Sequence, residues 1–167
     1  MNKKLNVGVI GLGVGFYHFK NLLQNKYAKV VSVCDFDKKK IKKIELDFPN
    51  IQTTSDSNIL LNNKLIDVVC IASYDNYHCK ELLKAIKNKK HVFVEKPICT
   101  NYFEYNKIKK VLKKNSKIKI SSNFVLRGSP QFLKLKDLMK KKIGKPYFIS
   151  GEYNYGRIKK ITKGWRG

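Results

Sequence analysis

The feature that most constrains the fold is an apolar segment near the N-terminus that breaks into glycine. Residues 5–10 are mainly apolar, glycine follows at positions 11, 13 and 15, and helical periodicity begins near Phe16. This order is typical of a strand, a tight turn and the N-terminus of a phosphate-binding helix. Gly11 would let the chain turn sharply, and Gly13 would let the backbone approach a pyrophosphate. We therefore predict a dinucleotide-binding turn that includes Gly11, Gly13 and Val14.

The glycine spacing departs from the usual dinucleotide fingerprint. That fingerprint, Gly-x-Gly-x-x-Gly/Ala, needs a small residue at the sixth position, where this chain has Phe16, and the third glycine comes one position early at Gly15. A glycine-rich turn after a first strand also occurs in folds that bind no nucleotide. The turn therefore needs support from elsewhere in the sequence.

Asp35 supplies that support. It follows the apolar run 30–34 and lies about 20 residues beyond the glycines, where a carboxylate accepts hydrogen bonds from ribose hydroxyls. An aspartate there repels a 2′-phosphate, and the next residue is Phe36 rather than Arg or Ser, so NAD is favoured over NADP. The alternative is that Asp35 or Asp37 only caps the following helix.

The charge of the chain suggests a polyanionic partner, but the type and placement of the cations do not. The 167 residues include 36 Lys and Arg against 12 Asp and Glu, a formal net charge of +24. Only three of these cations are arginines, the residue type best suited to bidentate contacts with phosphates and bases. The lysines fall mainly on predicted outer faces of helices, in the groups 38–43, 109–114 and 140–142. We predict salt-sensitive polyanion binding without a specific nucleic-acid partner. A basic nucleic-acid-binding protein is the alternative, and it would bind tightly and resist salt.

The cysteines and the N-terminus predict the compartment. No Cys-x-x-Cys pair occurs among the four cysteines, and Cys34 and Cys70 lie in apolar runs. They are expected to be buried thiols in a reducing compartment, with no metal site. The first residues show no signal-peptide pattern, and no apolar run approaches membrane-spanning length. We expect a cytoplasmic protein that does not engage a membrane.

Strand and helix patterns alternate along most of the chain. After the first strand we predict further strands over 29–34, 51–53, 65–72, 91–94 and 117–121. The predicted helices cover 16–26, the segment from 38 to before Pro49, a short helix that opens at 55–58 and ends at Leu61, and then 78–89 and 101–114. The nearly unbroken apolar run at 65–72 is the mark of a parallel strand covered on both faces. The predicted fold is α/β, a Rossmann-like doubly wound parallel sheet.

Three motifs in this order resemble the Gfo/Idh/MocA family of NAD(P)-dependent oxidoreductases. They are Gly-Leu-Gly-Val-Gly-x-x-His at the first turn, Ile-Ala-Ser-x-x-x-x-His after the fourth strand, and Lys-His-Val-Phe-Val-Glu-Lys-Pro ending at Pro97. The resemblance continues beyond Pro97. It includes the segment 123–130, a predicted helix over 131–142, the segment 143–146, and the stretch that runs from 155–157 to 164–166. It implies the same fold, a nicotinamide cofactor and oxidation of a sugar, polyol or nucleotide sugar.

The resemblance also implies roles for individual residues. Lys96 would hydrogen-bond the substrate hydroxyl, while Glu95 and Pro97 shape the loop at the nicotinamide end of the cofactor cleft. A cation there would stabilise developing alkoxide character while hydride leaves. Ser73 and His78 would lie near the cofactor, although a histidine at a helix start is often only a cap or packing residue. Candidate substrate or cleft residues are Arg127, Tyr155, Arg157, Trp165 and Arg166.

The main departure from the family is length. Its members continue into a large antiparallel sheet, and the histidine base that they use, often with a nearby aspartate, lies beyond the position of Gly167. We therefore expect a dinucleotide-binding domain at 1–122 and, at 123–167, the truncated start of a second α+β domain with a strand over 146–155. The expected function is the nucleotide-binding half of an NAD-dependent oxidoreductase. The alternative is a non-catalytic nucleotide-binding fragment or subunit that needs a partner chain. A sugar or polyol substrate, a homo-oligomer and a complementing C-terminal chain are the expected partners.

Overall fold

A computed structural model describes residues 3–156, 158 and 162. The chain forms two compact units, a larger one that ends at Phe124 and a smaller one that begins at Val125. In the larger unit strands and helices alternate: β1 Leu5–Ile10, α1 Gly15–Leu23, β2 Ala28–Cys34, α2 Lys38–Asp47, β3 Gln52–Thr54, α3 Ser57–Asn62, β4 Val68–Ile71, α4 Asp75–Lys87, β5 His91–Val94, α5 Tyr102–Lys113 and β6 Ile120–Ser122.

The six strands form one parallel sheet in the order β3-β2-β1-β4-β5-β6. This confirms the predicted Rossmann-like, doubly wound α/β fold. The strand order reverses between β1 and β4, and in open sheets of this kind ligands bind outside the carboxyl ends of the strands at the reversal. The Gly11 turn follows β1 at that position.

The core lies on both faces of the sheet. Neighbouring residues of one strand point to opposite faces, and Val69 and Ile71 belong to one apolar cluster while Cys70 belongs to the other. The first cluster is completed by α3, α4 and α5, and the second by α1 and α2. Burial on both faces is the reason why the β4 segment reads as continuous apolar sequence.

Several element boundaries differ from the prediction. β4 begins at Val68 rather than 65, because Asn63 turns the chain: its Oδ1 accepts a bond of 2.9 Å from Leu65 N. α1 ends at Leu23 rather than 26. α4 begins at Asp75, so that His78 lies within its first turn rather than at its start.

The smaller unit contains helical elements only, within its described residues. A 3₁₀ helix, Val125–Gly128, precedes α6, Pro130–Leu138, and a π-helical turn, Met139–Ile143. The prediction of a strand over 146–155 is wrong for this structure, since no strand is present in that range. A strand exists only by pairing, and the apolar side chains of Tyr147, Phe148 and Ile149 are instead exposed.

No helix in the described part of the chain combines the length and the apolar character needed to cross a membrane.

Candidate functional site

The turn after β1 can be formed only with glycine at position 11. Gly11 has a φ of +86°, and a Cβ at this position would lie 2.3 Å from the carbonyl oxygen of Ala72. Its N–H donates to the carbonyl of Cys34 at 2.7 Å, which ties the turn to the end of β2. A Cβ on Gly15 would approach the Cβ of Ala72 to 2.9 Å, so Gly15 lets α1 start close against the segment after β4.

Gly13 faces open space. A Cβ added there would meet no atom within 4 Å, and the residue is exposed directly before the N-terminus of α1. Val14, the N-cap residue of α1, is also exposed. Unpaired N–H groups of a helix N-terminus carry partial positive charge, so the space above Gly13 and Val14 suits a phosphate group. The turn therefore fits the cofactor that its sequence predicts.

Asp35 joins the end of β2 to this turn. Its side chain is buried, with Oδ2 accepting from Leu12 N at 2.6 Å and Oδ1 accepting from Asp37 N at 2.8 Å. The ammonium of Lys40 lies 3.3 Å from Oδ2. A carboxylate offers about four acceptor sites, so one acceptor site is left beside these three donors. The helix cap is supplied by Asp37, whose carboxylate accepts from Lys39 N. Asp35 therefore has a different role from a cap.

His78 connects the segments that follow β4 and β5. It is fully buried, with Nδ1 2.7 Å from the carbonyl oxygen of Pro97 and Nε2 3.1 Å from that of Ser73. The hydroxyl of Ser73 donates to Glu81 at 2.6 Å, and burial raises the pKa of Glu81. The imidazole thus lies between two carbonyl oxygens and links the Ser73 segment to the Pro97 loop.

Glu95 is the centre of a second polar cluster. Its Oε1 lies 2.7 Å from Nε2 of His18 and accepts from Asn123 Nδ2 at 2.6 Å, and its Oε2 accepts from Lys96 N at 3.3 Å. Burial alone would raise the pKa of Glu95, but the bonds from His18 and Asn123 outweigh it and lower that pKa. The carboxylate therefore joins α1, the β5 end and the β6 end.

Lys96 stands just beyond this buried carboxylate and is exposed. Its ammonium makes no hydrogen bond or ion pair to any other described residue. The following Pro97 is joined to it by a cis peptide bond. An exposed ammonium next to a buried carboxylate is an arrangement that can polarise a substrate oxygen.

The cysteines are free thiols. Burial raises the pKa of Cys34 and of Cys70 to about 12, which makes both poor nucleophiles. Among the residues that the structure describes, no three His, Cys, Asp or Glu side chains are grouped so as to hold a metal ion.

Two of the predicted substrate residues belong to the smaller unit. Arg127 belongs to the 3₁₀ helix of the smaller unit, and Tyr155 stacks on Tyr153 in the same unit. Arg157, Trp165 and Arg166 fall outside the described residues.

The family assignment follows from the sequence of the larger unit. The family described as an oxidoreductase family with an NAD-binding Rossmann fold, Gfo/Idh/MocA, matches residues 5–124. The chain belongs to the Gfo/Idh/MocA family. The matched residues include the glycine turn, Asp35 and the Glu95 to Pro97 loop, so the resemblance seen in the motifs is confirmed.

Individual relatives include inositol dehydrogenases. The chain is 29% identical over 147 residues to myo-inositol 2-dehydrogenase of Thermotoga maritima, covering 87% of this chain and 44% of the relative. It is 27% identical over 154 residues to inositol 2-dehydrogenase of Salmonella typhimurium, covering 89% and 46%. This Gfo/Idh/MocA chain therefore spans less than half the length of these relatives.

A solved structure supports the fold. Scyllo-inositol dehydrogenase from Lactobacillus casei, with bound NAD(H) and scyllo-inositol, matches with a TM-score of 0.78 at 23% identity, covering 83% of this chain and 42% of that one. The likeness concerns the architecture of the sheet and its helices.

Four residues whose side chains bond predicted site residues were not predicted as part of the site. His18 and Asn123 bond Glu95, Lys40 bonds Asp35, and Glu81 bonds Ser73. A weak signal exists for two of them, because His18 and Asn123 each stand in a motif of the family resemblance. In the sequence alone, Lys40 and Glu81 are ordinary charged residues of predicted helices.

Proposed function

We propose that this chain binds NAD at the carboxyl edge of its sheet and forms the nucleotide-binding half of a dehydrogenase for a sugar, polyol or nucleotide sugar. The observation that carries the proposal is the turn at Gly11 and Gly13. The hydrogen bond from Leu12 N to Asp35 fixes this turn, and a Cβ added to Gly13 would meet no atom within 4 Å. In this proposal the pyrophosphate lies over Gly13 and Val14, and the adenosine ribose lies beside Asp35.

NAD is the preferred cofactor in this proposal, because Asp35 offers an acceptor to a ribose hydroxyl and not a donor to a phosphate. The NAD-binding description of the family supports a nicotinamide dinucleotide in general. When bound, the nicotinamide accepts a hydride from the substrate carbon.

Lys96 is the proposed catalytic residue of this chain. Its ammonium would donate a hydrogen bond to the substrate hydroxyl and stabilise the negative charge that develops on that oxygen. Glu95 would act as a positioning residue, since it bonds the backbone N–H of Lys96. His78 would hold the adjoining loops together, because its ring nitrogens lie within hydrogen-bonding distance of the carbonyl oxygens of Ser73 and Pro97. The candidates for substrate contact are still Arg127, Tyr155, Arg157, Trp165 and Arg166.

The second candidate function is nucleotide binding without turnover by the chain alone. It is favoured because the chain matches less than half the length of the two inositol dehydrogenases described above. A subunit of this kind would need a complementing C-terminal chain or an oligomer to complete the substrate site. The free cysteines support a reducing, cytoplasmic setting for either function.

Turnover with and without Lys96 distinguishes the two functions. The purified chain is supplied with NAD and myo-inositol, then with a panel of other polyols and sugars, and NADH formation is followed by absorbance. Lys64→Ala is the matched control, because Lys64 is an exposed lysine that precedes β4, away from the carboxyl edge.

NADH formation that Lys96→Ala abolishes and Lys64→Ala preserves would establish the dehydrogenase. Saturable NADH binding without turnover of any substrate would establish the nucleotide-binding subunit instead. Turnover that survives Lys96→Ala would contradict the role of Lys96.

A further inference from the structure

A cavity of about 500 Å³ lies at the amino edge of the sheet, opposite the glycine turn. Its walls include Leu5 at the start of β1, Asp67 just before β4 and His91 at the start of β5. These strands run parallel, so their first residues share one edge of the sheet. A cavity of this volume is in the range that holds a small organic ligand. The proposed dinucleotide site makes no use of it.

Lys90 is a buried cation in the wall of this cavity. Only 3% of the residue is exposed, and its ammonium donates to the carbonyl oxygens of Asn63 at 2.6 Å and Ile66 at 3.0 Å. An ammonium has three N–H donors, and these two partners are neutral. Among the residues that the structure describes, no carboxylate lies within ion-pair distance of this ammonium. Burial lowers the pKa of Lys90, and the more distant charge of Asp67 opposes this effect only in part.

The other charges around the cavity favour an anion. Lys64 and Lys89 are exposed residues of the lining, so the described lining holds three lysines against one carboxylate, that of Asp67. Two helices also end here, α3 at Asn62 and α4 at its C-cap Asn88, and a helix C-terminus carries about half a negative charge. The three full charges of the lysines outweigh these contributions, and the field in the cavity is therefore positive.

The cavity also offers hydrogen bonds to hydroxyl groups. Asn62 Oδ1 accepts from Asn88 Nδ2 at 3.1 Å, an arrangement that leaves the amide N–H₂ of Asn62 as a donor and Oδ1 of Asn88 as an acceptor. Both residues belong to the lining. A ligand that carries hydroxyl groups beside its negative charge therefore fits this lining better than a bare anion.

We propose that this cavity binds the phosphate group of a small phosphate ester, with Lys90 as its buried contact and Lys64 and Lys89 adding positive charge at the rim. A phosphate supplies the negative charge that the buried ammonium lacks, and its oxygens accept the remaining ammonium N–H. The hydroxyl groups of the ester lie beside the two asparagine amides. This site is separate from the proposed dinucleotide site and does not depend on it.

Titration with glycerol 3-phosphate and with inorganic phosphate tests this site. Dissociation constants are measured by calorimetry at one fixed ionic strength for the parent chain, Lys90→Met, Asp67→Asn and Lys87→Met. Lys87 is the matched control, because it is an exposed lysine at the end of α4 that does not line the cavity. Thermal melting checks that each variant is folded.

We expect the parent chain to bind glycerol 3-phosphate saturably and at least as tightly as inorganic phosphate. Lys90→Met should weaken binding of both about tenfold or more, the effect of one lost charge-assisted hydrogen bond. Asp67→Asn removes the opposing charge but keeps an acceptor for the Asn6 N–H, so it should tighten binding about twofold or more. This gain decides the test even if Lys90→Met fails to fold, because unfolding cannot strengthen binding. Lys87→Met should behave like the parent chain.

Unchanged affinity in a folded Lys90→Met or in Asp67→Asn would overturn the proposal, since the phosphate would then lie elsewhere, for instance at the glycine turn. Equal losses in Lys90→Met and Lys87→Met would overturn it as well, because they would mean diffuse attraction by the lysines. The same holds if inorganic phosphate binds more tightly than its ester, or if the parent chain binds neither compound saturably.

Discussion

His18 Nε2 lies 2.7 Å from Oε1 of Glu95, although the two residues are 77 positions apart in the chain. The imidazole also packs edge-on against Phe93, with ring centres 5.1 Å apart. The first helix after the glycine turn is thereby joined to the loop that carries Lys96. The proposed phosphate and substrate ends of the site are thus parts of one hydrogen-bonded unit.

Replacing His18 tests this connection. His18→Phe keeps an aromatic ring against Phe93 but removes a partner from a buried carboxylate, so the free energy of unfolding should fall by about 1–3 kcal/mol. Urea denaturation measures the loss. Tyr17→Phe is the control, because Tyr17 is 71% exposed and its hydroxyl should matter by less than about 0.5 kcal/mol. Equal stability of both variants and the parent chain would contradict the link.

Glu95 predicts one direction of pH dependence. Its pKa is lowered in the folded chain, so ionised Glu95 stabilises the fold above the ordinary glutamate pKa of about 4.3, and this contribution is lost as pH falls through the folded value. Glu95→Gln should therefore be less stable than the parent chain at neutral pH, and the difference should shrink on acidification. Urea denaturation of both proteins at a series of pH values measures this difference. A difference that stays constant with pH would contradict it.

Glu81 should affect the pH dependence of stability in the opposite direction. Burial raises its pKa, so the ionised carboxylate disfavours the folded state above that raised value, and the penalty is relieved as pH falls through it. Glu81→Gln keeps an acceptor for the Ser73 hydroxyl and should match or exceed the parent stability at neutral pH. Its advantage should vanish toward acid. Because the same denaturation series serves both glutamates, an advantage of Glu81→Gln that grows on acidification would refute this account of its environment.

The regular elements could be predicted from the sequence because each has a local signature. The apolar run that became β4 and the helix before Pro49 follow from residue type and periodicity alone. The start of α5 is local as well, since the Asn101 side chain accepts from Glu104 N. Glu104 in turn accepts from Thr100 N.

The polar contacts of the site could not be predicted, because they join residues far apart in the chain. Lys40 is one of five lysines in a nine-residue stretch, and only the fold brings this one against Asp35. The same holds for Asn123 and Glu95. The segment 146–155 has the composition of a strand, but composition does not supply the neighbouring strand that pairing needs.

The two glycines of the turn should respond differently to alanine. Gly11→Ala places a Cβ 2.3 Å from a backbone oxygen at a φ of +86°, and the backbone conformation alone should destabilise the fold by about 1–3 kcal/mol. Gly13→Ala meets no atom within 4 Å, so its melting temperature should equal or slightly exceed that of the parent chain. Thermal melting of both variants measures the contrast, and equal destabilisation of the two would contradict the described turn.

NADH titration of the parent chain and of Gly13→Ala tests the central claim most directly. The variant keeps the fold but places a methyl group where the pyrophosphate would approach the backbone. The parent chain should bind NADH saturably, and Gly13→Ala should bind at least about tenfold more weakly at an unchanged melting temperature. Equal affinity of the two proteins, or no binding by the parent chain, would contradict a dinucleotide site at this turn.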